Sequence, residues 1–150
     1  MIRTKAATSD AQDESQMAEP SYVRRGLIIL LVCGVSYWLI APKSYPPPPD
    51  DDWFRTQVVQ SQRPVLVKFT AEWCIPCRML EESLRRFEKE ADGRIEVVRI
   101  DVDAQADLAS HYKVTGIPLM LLFDKGKVID EQVGAMEYGE LRQWLGRYVP

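Results

Sequence analysis

The stretch FTAEWCIPCRML, residues 69–80, sets Cys74 and Cys77 three positions apart where two different patterns meet. Upstream, PVLVKFTA (64–71) is rich in β-branched and aromatic residues and reads as a strand. Downstream, CIPCRMLEESLRRFEKEADG (74–93) shows a helical period at Met79, Leu80, Leu84 and Phe87, and Gly93 ends it. The pair therefore sits where a strand gives way to the first turn of a helix. Two thiols there can be a redox dithiol, half of a metal site, or two unrelated residues.

Elementary electrostatics separates these. A helix N-terminus carries partial positive charge and N–H groups without partners. Cys74 at that end would have its thiolate stabilised. One turn on, Cys77 lies close enough to bond to it. Pro76 is tolerated because its missing N–H would have no partner in a first turn. A structural zinc site needs four ligands. Outside the pair, residues 53–150 offer only His111, which falls in another segment beside Tyr112 and is expected to be an ordinary surface residue. No metal is expected, and a Cys-x-x-Cys in this context reads as redox-active.

Working outward, DWFRTQVVQSQ (52–62) reads as a short amphipathic helix capped by Asp51 or Asp52. IEVVRIDVD (95–103) is a second strand, and AQADLASHYKV (104–114) a helix with Leu108 and Tyr112 inward. PLMLLFDKGKVIDEQVG (118–134) is a hairpin turning at Asp124–Lys127, and EYGELRQWLGRYV (137–149) a closing amphipathic helix. The order α-β-α-β-α-β-β-α predicts an α/β fold, a mixed central sheet flanked by helices on both faces. Val97, Ile100, Leu119, Leu121 and Phe123 are core candidates, and EESLRRFEKE (81–90) is expected to be a salt-bridged helix exterior.

The N-terminal part is different in kind. Residues 1–23 are polar and without period, which predicts a disordered tail. In 24–41, RRGLIILLVCGVSYWLIA, the 16 residues from Gly26 to Ala41 carry no charge. A helix of that length spans about 24 Å, against a hydrocarbon core of roughly 30 Å. Tyr22 and Val23 extend it, Arg24 and Arg25 can snorkel, and Tyr37 and Trp38 suit the interfacial belt. This predicts a single N-terminal transmembrane helix. Its rival, a cleaved signal peptide, is disfavoured by Leu39 and Pro42 around Ala41. Val32 disfavours a lipoprotein site at Cys33, which then packs in lipid as a small apolar residue.

Arg24 and Arg25, against Lys43 and then Arg55, put the N-terminus in the cytoplasm and residues 53–150 outside. PKSYPPPPDDD (42–52) reads as a stiff polyproline spacer in preference to a PxxP ligand. A net charge of −3 lacks the basic footprint of a nucleic-acid binder, and three cysteines are too few for a disulfide scaffold. A monomer is expected.

FTAEWCIPCRML, YKVTGIPLMLLFDKGKVIDEQVGA and the closing helix resemble the thioredoxin family over about residues 53–150. Where the family usually reads Trp-Cys-Gly-Pro-Cys, this chain has Trp73-Cys74-Ile75-Pro76-Cys77. The resemblance implies a protein disulfide oxidoreductase with Cys74 as attacking nucleophile and Cys77 as resolving thiol. It needs no cofactor beyond a redox-active Cys74–Cys77 disulfide. It also implies a cis Pro118, with the backbone of Ile117 pairing with an extended substrate as an added strand. Trp73 and the Gly134–Ala135 loop would complete the docking surface.

Two departures stand out. Lys68 occupies the place of a buried Asp, and Glu82 that of a helix-kinking Pro. Lys68 has two readings: a cation under the dithiol that makes it more oxidising, or a side chain that snorkels outward or pairs with Asp101. Anchored members of this kind act on protein thiols and disulfides, often as reductases, for example in cytochrome c maturation. Outside a bacterial cytoplasmic membrane such a reductase would need a membrane thiol transporter as electron donor. The alternatives are a dithiol oxidase or disulfide isomerase with the same residues, or a redox-silent binding module, which intact Cys74, Cys77 and Pro118 disfavour.

Overall fold

Why VLVKFT is apolar on both faces becomes clear from its neighbours. In the computed structural model, which describes residues 28–31, 33, 34 and 44–149, this run forms β1 (Val65–Thr70) inside a four-stranded sheet. The other elements are α1 (Asp52–Phe54), α2 (Ile75–Ala91), β2 (Glu96–Asp101), α3 (Ala106–His111), β3 (Leu119–Asp124), β4 (Lys127–Val133) and α4 (Tyr138–Leu145). The order across the sheet is β2-β1-β3-β4. β2 runs parallel to β1, while β3 is antiparallel to both β1 and β4. The predicted element order and mixed sheet are both present.

The period of two along β1 and β3 sorts their side chains onto two faces. Val65, Val67, Phe69, Leu119, Leu121 and Phe123 meet Phe54 and Val58 at the first helical turns and Leu108 and Tyr112 on the α3 side. Leu66, Met120 and Leu122 meet Leu80, Leu84 and Phe87 of α2 and Leu141, Trp144 and Leu145 of α4. Each such aliphatic side chain contributes about 1.5–3 kcal/mol on burial. Ile100, Leu119, Leu121 and Phe123 are buried as predicted, whereas Val97 is only partly buried against the core. Met79, counted above in the helical period, is 63% exposed: the apolar face of α2 runs through Cys77, Leu80, Leu84 and Phe87 instead.

The helix ends follow capping rules. Asp51 accepts a hydrogen bond from the Phe54 N–H at 2.6 Å. α1 continues through Arg55–Val59 with a wider turn, which closes where the Gln60 N–H donates to the Arg55 carbonyl. The hairpin turns at Lys125 and Gly126, both at positive φ, which gives the twist that antiparallel strands require. A Cβ on Gly126 would lie 2.8 Å from Val59 Cγ1, a contact that forces a shift. Gly126→Ala should therefore destabilise the chain by about 1–3 kcal/mol, read as a lower urea midpoint.

Residues 1–43 and 44–150 form two separate units. The predicted tail, 1–23, lies outside the described residues, as does most of the segment 24–41. Of that segment, residues 28–31, 33 and 34 are helical, with Ile28, Ile29, Leu30, Leu31 and Cys33 exposed. Among the described residues no helix is long and apolar enough to cross a membrane. The stretch read as a spacer contacts the domain from Tyr45 on. Tyr45 packs against the cluster around Phe54 and donates a hydrogen bond to Glu131. The Pro47 carbonyl lies 2.8 Å from His111 Nε2. His111 is thus a contact for the proline run, and its ring meets Tyr112 edge-on.

Candidate active site

β1 ends at Thr70, and five residues later the chain enters α2. Cys74 is the N-cap: its Sγ accepts a hydrogen bond from the Cys77 N–H at 3.2 Å. The sulfur thus occupies the position where a helix start offers unpartnered donors and positive potential. Pro76 lies in the first turn, as expected. Cys74 and Cys77 are joined as a disulfide. Both are buried, at 3% and 1% exposure, in a small cluster with Ala71, against which Val102 and Ile117 pack.

Of the other residues singled out in the sequence, Ile117 packs on this cluster and Trp73 directly precedes Cys74. The Ile117–Pro118 peptide is cis, and Pro118 is buried ahead of β3. Gly134, at a φ of 97°, donates its N–H to the Pro118 carbonyl at 2.8 Å, which ties the Gly134–Ala135 loop to this proline. Trp73 is 66% exposed, and its Nε1–H donates to Asp103 at 2.8 Å, just beyond β2. Ile75, Met79 and Val133 are also more than 60% exposed, an unusual concentration of apolar surface on segments adjoining the bridge and Gly134.

Lys68 neither snorkels nor pairs with Asp101. It is 2% exposed and lies on the α2 face of β1. Its Nζ donates to the Cys77 carbonyl at 3.1 Å and to Glu81 Oε2 at 2.6 Å. Asp101 instead accepts from the Asp103 and Ala104 N–H groups, closing the turn after β2. Glu81 is the residue that sequence reasoning missed, because it was grouped with the solvated face of α2. It stands four positions after Cys77, one turn along the same helix face, and a lysine inside an apolar strand requires a carboxylate partner. Part of the charged face is ion-paired as predicted: Glu81 also meets Arg85 and Arg99, Arg99 meets Glu88, and Glu90 meets Arg142.

Burial works to raise the Glu81 pKa. Hydrogen bonds from Arg99 and Lys68, and their charges, outweigh it and bring the carboxyl from its ordinary 4.5 down to about 2. The unfolded chain therefore takes up the proton more readily than the folded one. The resulting stability is full above pH 4.5 and lost as pH falls toward 2. Acid titration of the unfolding midpoint should show this loss, and Glu81→Gln should flatten it.

Among the described residues no group of three metal-ligating side chains comes together. What the site can do is thiol–disulfide exchange: two sulfurs bond to each other at a helix start, beside an exposed apolar surface. Comparison with known proteins agrees. The thioredoxin family model matches residues 48–147. A thioredoxin of Rickettsia felis is 33% identical over 99 residues, covering 66% of this chain and 94% of that protein. Thioredoxin of Acidithiobacillus ferridurans is 39% identical over 95 residues, and thioredoxin 1 of Chlorobaculum tepidum 40% over 93. These cover 63% and 62% of this chain, and 88% of each relative. With the matched family spanning the domain and the cysteine bridge in place, the chain belongs to the thioredoxin family and is a protein disulfide oxidoreductase.

Proposed function

We propose that the chain is a membrane-tethered reductase of protein disulfides, held by segment 24–41 on the outer face of a bacterial cytoplasmic membrane. The observation that carries the redox part is the buried Cys74–Cys77 bridge beside Ile117. Among the described residues no hydrogen bond engages the Ile117 backbone, which leaves it open to an extended substrate. The tether rests on the uncharged run from Gly26 to Ala41 and the paired arginines before it, and the exposed Ile28–Leu31 side chains suit it.

In the reducing direction the Cys74 thiolate attacks a substrate disulfide. A bond forms between Cys74 Sγ and one substrate sulfur, and the other leaves as thiolate. Cys77 Sγ then attacks Cys74 Sγ, closes the bridge and releases the second substrate thiolate. Two electrons pass from the dithiol to the substrate, so a membrane thiol transporter must return two to the bridge. Haem-attachment cysteines of c-type apocytochromes are substrates that fit such a reductase.

Cys77→Ala interrupts the second step. In intact cells this variant should hold substrates as mixed disulfides on Cys74, to be identified by mass spectrometry. Trapped cytoplasmic proteins would overturn the placement. Alkaline extraction tests the tether: the full chain should stay with the membranes, and residues 44–150 alone should not. A dithiol oxidase with the same residues is the second reading, favoured by one observation, the buried Lys68 ammonium against the Cys77 carbonyl.

A further inference from the structure

A buried lysine against the backbone carbonyl of a redox cysteine raises the question of what fixes its effect. Lys68 Nζ has two acceptors, the carbonyl of Cys77 and Glu81 Oε2. The carboxylate is itself held from the other side. Its Oε1 takes hydrogen bonds from Arg99 Nε at 3.0 Å and Arg85 Nε at 3.2 Å. Glu88 ties the far end of Arg99 at 2.7 Å. The charged group that meets Lys68 is thus Glu81 from α2, which Arg85 from α2 and Arg99 from β2 surround, with Glu88 behind Arg99. Across β3 its partner in register is the uncharged Met120. Lys68 is 2% exposed, so its charge at the Cys77 backbone is little screened by water.

We propose that Glu81 is a positioning residue for the dithiol: it clamps the Lys68 ammonium against the Cys77 carbonyl and offsets its charge, and so sets the balance between open dithiol and closed bridge. A net positive charge beside Cys77 favours the thiolate and therefore the open form. A net negative charge favours the bridge. Opening takes up two electrons and closing releases them to the partner disulfide, so this balance is the reduction potential. The inference rests on the dithiol chemistry alone and holds wherever the chain resides.

The pair makes a prediction with two signs. Glu81→Gln keeps an acceptor for Lys68 but removes the offsetting charge, and should shift the equilibrium toward the open dithiol. Lys68→Met removes the cation and leaves Glu81 with Arg99 and Arg85, and should shift it toward the bridge. The full-length chain in detergent is equilibrated with reduced and oxidised glutathione, quenched and alkylated. Each shift should be at least about fivefold, about 20 mV for a two-electron couple. Shifts of the same sign, or smaller ones, overturn the proposal, since a merely structural role would disturb both variants alike. Thermal melts confirm that each variant is folded at the assay temperature. If Glu81→Gln is not, Lys68→Met decides alone by the same threshold. A wild-type chain that exchanges with glutathione not at all would overturn the redox reading itself, a different outcome.

Discussion

Cys74→Ser should reduce catalysis of insulin disulfide reduction by a factor of about a thousand or more, to the background rate of the added dithiol. The reason lies in where the sulfur sits. Cys74 caps α2 and accepts the Cys77 N–H, so a negative charge there meets a donor and the positive end of the helix. A serine oxygen in the same place has the geometry but remains a neutral hydroxyl at neutral pH. Cys77→Ser should behave differently. It leaves the first attack intact and blocks only the release, so Cys74 should still react with iodoacetamide while turnover fails. Equal loss of alkylation in both variants would place the nucleophile elsewhere.

The second large effect is on stability. Phe54→Ala should lower the free energy of unfolding by about 3–5 kcal/mol, seen as a large drop in the urea midpoint with an unchanged slope. Phe54 is fully buried, and its ring lies 5.6 Å from that of Tyr112 and 5.8 Å from that of Phe123. It joins the first helical turn, the end of α3 and β3 in one aromatic contact, so truncation leaves a cavity bordered by three elements that cannot all close on it. Phe54→Leu, which keeps most of the volume, should cost about half as much or less. Redox activity at the Cys74–Cys77 bridge should survive Phe54→Leu, since the bridge packs in a separate cluster.

Much of this was legible before the structure because local signals agreed. The β-branched and aromatic run VLVKFT, the period through Leu80, Leu84 and Phe87, and the turn between two strands at Asp124–Lys127 each specify one element, and the elements occur in the expected order. The cysteine pair was legible because its chemistry needs only a helix start. What escaped depends on side chains that sequence places far apart. Asp101 was a reasonable partner for Lys68 on adjacent strands. In the parallel register, however, Lys68 faces Arg99, and the carboxylate that reaches it comes from α2. Met79 fits the helical period but falls on the outer side of α2, opposite the face that buries Cys77, Leu80 and Leu84. Tyr45 and Pro47 read as spacer because a proline run has no internal hydrogen bonds, a property that says nothing of what its carbonyls and neighbours can touch.

The sheet order carries one more consequence, for self-association. Its outermost strands, β2 and β4, are where another chain could add by edge-to-edge pairing. β2 presents Glu96, engaged by Arg63, and Arg99, held by Glu81 and Glu88. β4 presents Lys127, Asp130 and Glu131, and skips Ile129 in its register with β3. Charge on both rims and a bulge on β4 are the devices that discourage fibrillar stacking, so concentrated solutions of the domain should stay free of cross-β aggregates.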